Sequence, residues 1–399
     1  HYFDRHLSEM AQEMRYGFYG DIDFAIIEAA AIDENGEILL GCGVGNIPTY
    51  APRAKKIFIE LNEALPQALM GMHDIYLPAD PPYRREIPIF SPKDRAGRPT
   101  LKVDPSKVVG IVRTNSLDGV KAFTKPDEVS EHIGANVVNF LISEYRKGRI
   151  PKEFLPLQSG VGNVANAVLH YLCLDKELPN FMMYTEVVQD SVLELLRHGK
   201  CTFASTCSMT FSDEVESQLF ADMDFFHDKI ILRPAEISNN PEVIRRLGVI
   251  AMNTALEADI FGNVNSTHVL GTRMMNGIGG SGDFTRNGYL SIFSCPSITK
   301  GGLISNIVPH VSHHDHSEHS VDVLITDQGI ADLRAKDPVQ RAETIIENCA
   351  HPMYRELLWD YLKRGKGGQT PATLHAAYAF HTAFAETGDM RNVDFAKYM

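Results

Sequence analysis

The sequence predicts an α/β protein made of two similar open domains whose sheets are mainly parallel. First, strand-like runs alternate with amphipathic helical segments along almost the whole chain. Second, the halves share a short A…D-x-x-G piece, with Asp33 and Gly36 in one and Asp259 and Gly262 in the other. Chance similarity is the alternative explanation for so short a piece. If the halves are duplicates, we expect the first domain to be truncated at its beginning, because the segment before its copy is much shorter.

The predicted strands are short apolar runs at residues 23–31, 56–61, 108–113, 229–232 and 321–326. The longest predicted helix covers residues 128–147, where apolar side chains recur at helical spacing. A second covers 191–198 and is stopped by Gly199, and a third is opened by Asn240 and Pro241. Strands and helices in this order are typical of a parallel sheet with crossover helices.

A linker is predicted between Gly97 and Lys125, where prolines and charges surround a single strand-like run. Pro126 would then start the first helix of the second domain. The predicted domains are therefore residues 1–125, including the linker, and 126–399.

Composition narrows the classes of partner. The 399 residues carry 38 basic and 51 acidic side chains, a net charge of −13. This acidic balance argues against a general nucleic-acid or anionic-membrane surface. No apolar run is long enough to span a membrane. The six cysteines are scattered without a CxxC pair, which predicts reduced thiols in a cytosol-like compartment.

The first candidate site is the segment 158–168, QSGVGNVANAV. Small residues between an apolar run and an apolar helix start let backbone N–H groups point into a cleft, as in anion and oxyanion sites. Glycine turns before helices are common, and an ordinary turn is the alternative interpretation.

The second candidate is Glu186 in the segment MMYTEVVQD. It follows an apolar strand and precedes a helix, so its carboxylate would lie at the carboxyl end of a parallel sheet, where open α/β proteins bind ligands. The alternative is an acidic residue in the first turn of a helix.

The third candidate is the loop 271–284, GTRMMNGIGGSGDF. Its glycines would let the backbone approach a ligand closely, and the polar residues Asn276, Ser281 and Asp283 accompany them. The spacing matches neither Walker A nor the dinucleotide fingerprint. A flexible surface loop is the alternative.

The fourth candidate is a histidine-rich segment, with His310, His313, His314, His316 and His319 inside ten residues. Such density suggests metal binding. No H-E-x-x-H helix pattern is present, and a hydrogen-bonding polar loop is the favoured interpretation. We therefore predict no metal site.

Single polar residues stand at other predicted strand or helix ends. They include Asn239, Lys300 before two glycines, and Asp327 directly after a predicted strand. Each of them alone has a structural explanation.

Together the segments resemble the acetyl-CoA hydrolase/transferase family of class I CoA-transferases, in particular its succinyl-CoA:acetate and propionyl-CoA:succinate CoA-transferase branch. The matching pieces are GFYGDIDFAIIEAAAID, MHDIYLP, QSGVGNVANAV, MYTEVVQD, the long block from AEISNNPEVIRR to GGSGDF, and HHDHSEHSVDVLITDQGIADLR. The resemblance covers essentially the whole chain. The amino-terminal portion of the family, with an early glycine loop, has no counterpart here, which agrees with a truncated first domain.

The resemblance implies roles for individual residues. Glu186 corresponds to the covalent nucleophile, Asn239 to an active-site asparagine, and Val161 and Gly280 to donors of backbone N–H groups to oxyanions. The glycine loop, with Gly277, Gly279, Gly280 and Gly282, and Lys300 are expected to line the coenzyme A site. Asp327 stands where relatives often carry glutamate and is the expected substrate contact.

The implied activity is transfer of CoA between a short-chain acyl-CoA, such as succinyl-, propionyl- or acetyl-CoA, and a carboxylate such as acetate or succinate. Acetyl-CoA hydrolysis on the same scaffold is the near alternative, and a histidine-dependent metal hydrolase or a non-catalytic CoA sensor are alternatives of other classes. We expect CoA to act as substrate without a tightly bound cofactor. We also expect a homo-oligomer, in particular a homodimer, in the cytoplasm, or in the mitochondrion of a eukaryote.

Overall fold

The computed structural model describes residues 2–120 and 126–398. Its strands in chain order are β1 (Phe24–Ile32), β2 (Glu37–Leu40), β3 (Lys56–Asn62), β4 (Leu101–Lys102), β5 (Val108–Thr114), β6 (Leu157–Ser159), β7 (Phe181–Tyr184), β8 (Val187–Val188), β9 (Cys201–Thr206), β10 (Ser208–Met209), β11 (Ile230–Leu232), β12 (Ile250–Thr254), β13 (Glu257–Asp259), β14 (Val264–Asn265), β15 (His268–Val269), β16 (Arg273–Met274), β17 (Leu290–Ser294), β18 (Ile298–Thr299), β19 (Ile304–Ser305), β20 (Ile307–Val308), β21 (Val323–Thr326) and β22 (Gly329–Asp332).

The α-helices in chain order are α1 (Leu7–Arg15), α2 (Ile47–Arg53), α3 (Glu128–Arg146), α4 (Asn163–Leu174), α5 (Asp190–Arg197), α6 (Asp213–Ala221), α7 (Met223–Phe226), α8 (Ala235–Ser238), α9 (Pro241–Leu247), α10 (Ser281–Asn287), α11 (Pro338–Asn348), α12 (Pro352–Arg364) and α13 (Ala379–Thr387). Within residues 2–120 and 126–398, no helix combines the length and the apolar character needed to cross a bilayer.

Two main sheets confirm the predicted α/β class. The first has the order β4-β2-β1-β3-β5, and the second has the order β11-β9-β7-β6-β12-β17-β21-β22. In the second sheet every neighbouring pair is parallel except the last, β21 with β22. One apolar core cluster extends from Ala25 in the first sheet to Ile325 in the second. The strand order of the second sheet reverses its direction at β6 and β12, the type of position where open α/β sheets bind ligands.

The predicted elements are present, with small differences at their ends. The long helix begins at Glu128 and not at Pro126, because Asp127 caps it by accepting a hydrogen bond from Ser130 N at 2.8 Å. The third predicted helix does begin at Pro241, where Asn240 accepts hydrogen bonds from the first two amides that follow the proline.

The segment predicted as a linker contains the strand predicted at 108–113 and one further strand that was not predicted. Residues 101–102 pair with β2, and residues 108–114 form β5, which pairs with β3 in parallel. Two strands of the first sheet therefore lie inside the supposed connection. Residues 121–125 lie outside the described residues, so the domain boundary at 125/126 stays a prediction.

The A…D-x-x-G piece that the halves share forms the same hairpin turn in each half. The carboxylate of Asp33 accepts hydrogen bonds from the amides two and four residues later, at 2.9 and 2.8 Å, and Gly36 N donates to Asp33 O at 3.1 Å. Asp259 makes the same bonds at 3.0 and 2.9 Å, and Gly262 N donates to Asp259 O at 3.1 Å. Both glycines have positive φ, +78° and +98°. Each turn joins two antiparallel strands, β1 to β2 and β13 to β14.

Candidate active site

The glycine turn of QSGVGN connects β6 to α4 as predicted. Gly162 is the residue before the helix, and its φ of +104° requires a residue without a side chain. The side-chain amide of Gln189 braces the turn by donating to Gly160 O at 3.1 Å. Val161 is left 55% exposed at the mouth of a cavity. The turn therefore presents backbone to a ligand, while its own shape is fixed from behind.

Glu186 lies between β7 and β8, at the carboxyl end of a parallel strand. Its main-chain carbonyl accepts hydrogen bonds from Thr206 Oγ1 at 2.7 Å, Cys207 N at 3.0 Å and Ser208 N at 3.2 Å. These bonds fix the backbone from which the carboxylate projects. The side chain lines the cavity, which is the placement expected of a nucleophile.

Asn239 donates from Nδ2 to Glu186 Oε2 at 3.1 Å. It is fully buried, and its Oδ1 accepts a hydrogen bond from Ser238 Oγ at 2.7 Å. Because the oxygen of the amide is occupied by a hydroxyl donor, the amide nitrogen must face the carboxylate. The orientation of Asn239 follows from this network.

The short helix α8, whose last residue directly precedes Asn239, is fixed from several sides. Arg15 donates to both carboxylate oxygens of the buried Glu236, at 2.6 and 2.7 Å, and Arg84 adds a third bond at 3.2 Å. Tyr184 OH donates to Ile237 O at 2.5 Å. A helix of this length has little stability of its own, so these contacts hold the asparagine in place.

The glycine-rich loop closes the site from the other side. The amide of Gly280 interacts with the Glu186 carboxylate. A Cβ at Gly280 would lie closer than 3.0 Å to both Glu186 Oε2 and Asn239 Nδ2, so any side chain there would displace one of these groups. The amino-terminal segment supports this loop: Ile278 N donates to Asp4 Oδ1 at 2.9 Å, and Ser8 donates from N and Oγ to Asp283 at 3.1 and 2.5 Å.

These segments enclose a cavity of about 180 Å³ at the point where the strand order of the second sheet reverses. It is lined by Gln158, Ser159, Gly160, Val161, Glu186, Val187, Asn253, Thr254, Ser266, Asn276, Gly277, Ile278, Gly279, Gly280 and Ser281. The lining includes one glutamate, several amide and hydroxyl side chains and four glycines beside apolar residues, and it contains no lysine or arginine. Such a lining can supply uncharged hydrogen-bond donors to an oxyanion that develops during a reaction.

Burial raises the pKa of Glu186 above its ordinary value of 4.5. The hydrogen bond from Asn239 and the interaction with the Gly280 amide oppose this shift, whereas the charge of Asp283 adds to it. The result is a carboxylate that is less well solvated than in water and therefore more reactive as a nucleophile.

The four residues predicted to be catalytic, Glu186, Val161, Gly280 and Asn239, lie at one site. Of the residues predicted to bind coenzyme A, only some line the cavity. Gly277 and Gly279 line the cavity, but Gly282 is not part of its lining; a Cβ there would meet the His6 ring. Lys300 is also outside the lining and lies over the Phe384 ring at 5.1 Å.

Asp327, the predicted substrate contact, does not line the cavity. Its carboxylate accepts hydrogen bonds from Ser297 N at 2.6 Å, Ser297 Oγ at 2.9 Å and Gln328 Nε2 at 2.7 Å. These bonds give the residue a structural role in this loop. Its contact with substrate stays a prediction.

The histidine segment forms a polar loop. Within residues 2–120 and 126–398, no group of three or more histidine, cysteine, aspartate or glutamate residues is arranged to hold a metal ion. Sequence reasoning missed the supporting residues Ser238 and Gln189. Ser238 bonds to its neighbour Asn239 and Gln189 bonds to Gly160, 29 residues away, and no local pattern marks either contact.

Comparison with known proteins shows the family of the chain. The model of the acetyl-CoA hydrolase/transferase N-terminal domain matches residues 1–113, and that of the C-terminal domain matches residues 216–362. The propanoyl-CoA:succinate CoA transferase of Escherichia coli is 52% identical over 389 residues, which cover 98% of this chain and 79% of the relative. The succinyl-CoA:acetate CoA-transferase of Clostridium kluyveri is 50% identical, covering 98% and 73%.

An acetyl-CoA hydrolase of Candida glabrata is 44% identical, with 98% of this chain and 77% of the relative covered. Among solved structures, RipA from Yersinia pestis superposes with a TM-score of 0.70 at 22% identity, covering 91% of this chain and 75% of that one. That likeness concerns the fold. On the family models and the curated relatives together, the chain belongs to the acetyl-CoA hydrolase/transferase family.

Proposed function

We propose that the protein is a CoA-transferase that moves CoA between a short-chain acyl-CoA and a carboxylate by way of a covalent intermediate on Glu186. One observation carries the proposal: the Glu186 carboxylate lines a cavity at a sheet switch point while Asn239 Nδ2 donates to it at 3.1 Å. The named activities of the two relatives at 52% and 50% identity support the same reaction.

The first half of the reaction has two bond exchanges. A carboxylate oxygen of Glu186 attacks the thioester carbonyl, the carbon–sulfur bond breaks, and CoA leaves as a thiolate, so that a glutamyl–acyl anhydride is formed. The thiolate then attacks the glutamyl carbonyl, and the original acid leaves as a carboxylate. An enzyme–CoA thioester remains. A second carboxylate reverses both steps, so the thioester is conserved.

The geometry suits the steps that occur on the glutamyl carbon. When the thiolate attacks that carbon, negative charge develops on an oxygen of Glu186 itself. In the resting site Asn239 Nδ2 already donates to Glu186 Oε2, and the Gly280 amide interacts with the same carboxylate. They would act as a preorganised oxyanion hole for the enzyme-bound intermediates. The Val161 amide, at the cavity mouth, would serve the intermediate on the acyl carbon.

A mass adduct tests this proposal. The full chain incubated with succinyl-CoA, propionyl-CoA or acetyl-CoA should gain the mass of CoA on the peptide that contains Glu186, and the Glu186→Gln protein should not. Glu177→Gln is the matched control, because this glutamate side chain is 50% exposed and lies outside the cavity lining. A wild-type protein that turns over acyl-CoA without any adduct would exclude the covalent mechanism.

Acetyl-CoA hydrolysis is the second candidate, favoured by the relative of that name. Water would then take the place of the second carboxylate. CoA release measured with and without acetate or succinate separates the two activities, because transfer requires the acceptor and hydrolysis does not.

The proposal includes CoA as a substrate and no tightly bound cofactor, and it includes a cytoplasmic homo-oligomer. Light scattering on the purified protein tests the oligomeric state, and a monomer at working concentration would contradict it. The absorbance spectrum and mass of the native protein test for a retained cofactor.

A further inference from the structure

His316 is the one histidine of its segment that reaches the wall of the active-site cavity within the described residues. It is 3% exposed, and its ring packs on Phe293 with a centroid distance of 4.8 Å. Its backbone is fixed on both sides by Val264: His316 N donates to Val264 O at 3.0 Å, and Val264 N donates to His316 O at 2.8 Å. The ring therefore has a single well-defined position.

The Nε2 atom of His316 lies 3.2 Å from Ser281 Oγ and 3.4 Å from Ser266 Oγ, and both serines line the cavity. The Ser281 hydroxyl donates its only proton to Ile278 O at 2.7 Å. Its oxygen can then only accept from His316. Nε2 must therefore carry a proton and donate it toward the serine hydroxyls.

We propose that His316 is a positioning residue that, by donating from Nε2 to Ser281, fixes the glycine-rich loop and with it the Gly280 amide against Glu186. This proposal rests on the proposed CoA-transferase function. The chain of contacts runs from His316 to Ser281, from Ser281 to Ile278, and along the loop to Gly280, which borders both Glu186 and Asn239.

The charged surroundings of His316 agree with a neutral donor. Burial lowers the pKa of His316 to about 4, interaction with Asp315 opposes this shift, and electrostatic interactions with His6, Arg286 and His314 add to it. The ring therefore stays uncharged at neutral pH, with one proton available for the serine. A proton held in this way positions the loop and takes no part in the chemistry.

The test compares His316→Gln with His316→Leu. The glutamine amide nitrogen can replace Nε2 as a donor, whereas leucine fills the space without one. We expect His316→Leu to lower kcat for CoA transfer about tenfold with KM within about threefold of wild type, and His316→Gln to recover kcat to within about threefold. His319→Leu is the matched control, because that side chain is 82% exposed, and it should behave like wild type.

A double-mutant cycle tests the route through Ser281. Ser281→Ala should lower kcat about as much as His316→Leu, and the combination should be little worse than either alone. Additive losses in the cycle overturn the proposal. Should His316→Leu fail to fold, Ser281→Ala still decides, because wild-type kcat in that variant overturns the proposal. The adduct on Glu186 distinguishes a failure of this proposal from a failure of the proposed function. A wild-type protein that forms no adduct refutes the proposed function itself, whatever the His316 variants do.

Discussion

Replacing Gly280 by alanine places one methyl group against the nucleophile. The backbone at this residue has φ −91° and ψ −2°, a conformation that alanine adopts without strain. The new Cβ, however, would lie closer than 3.0 Å to Glu186 Oε2 and Asn239 Nδ2. Restoring normal contact distances requires a displacement on the order of 1 Å, and such a misplacement of reacting groups costs about 10²-fold in rate. This corresponds to about 2.7 kcal/mol of activation free energy.

The assay measures initial rates of CoA transfer and the rate of adduct formation on Glu186, with thermal unfolding recorded in parallel. The matched control is Gly43→Ala, because a Cβ there has only Ser208 Oγ nearby, at 3.8 Å, and the residue does not line the cavity. We expect the two variants to differ about 10²-fold in adduct formation while both unfold near the wild-type temperature. A Gly280→Ala protein that forms the adduct within about threefold of wild type would refute the assigned geometry.

Three further outcomes follow from buried charges. Because the folded-state pKa of Glu186 is raised, the rate of CoA transfer should fall as pH drops through that pKa. For the same reason Glu186→Gln should unfold at a higher denaturant concentration than wild type. This gain in stability should be greatest above the pKa of Glu186 and absent well below pH 4.5. Burial raises the pKa of Asp259 to about 7, so the native protein binds this proton more tightly than the unfolded protein does. The native state therefore loses up to about 4 kcal/mol of stability between pH 4 and 7. Asp259→Asn should flatten this dependence of stability on pH, and Asp33→Asn, at the exposed equivalent turn, should not. Arg15→Ala should lower the free energy of unfolding by about 3 kcal/mol, because the Glu236 side chain is 3% exposed and keeps only a weaker arginine partner.

Much of the fold was predictable because local signals and packing agree in this chain. The run of small and apolar residues at 24–32 forms a strand as its composition predicts, and Asp33 with Gly36 forms the turn after it. The segment 97–125 shows where local signals end. The strand at 108–114 was predicted from its apolar run, whereas residues 101–102 are extended because they pair with β2, a nonlocal contact that no local pattern indicates.

The site was predictable only where one segment carries its own chemistry. The glycine turn before α4 and the carboxylate after β7 could be found from local patterns, because both stand at strand ends. Asn239 entered through the family resemblance, and its orientation depends on Ser238 and on arginines far away in the chain. Lys300 lies outside the cavity lining because of tertiary packing, which the spacing of residues in the sequence does not predict.

Burying the nucleophile and aiming donors at it have opposite effects on the resting carboxylate. Burial raises the pKa of Glu186, and Asn239 lowers it again, so the two largely oppose each other before reaction. In the tetrahedral intermediates the stabilisation by the donors outweighs the cost of burial more than it does in the resting carboxylate. A resting carboxylate shares its charge between two oxygens, whereas the oxyanion concentrates it on one, and donors fixed toward that oxygen bind the second form more strongly. Only this difference accelerates the reaction, so rigidity of Asn239 and Gly280 matters more than the strength of their bonds at rest.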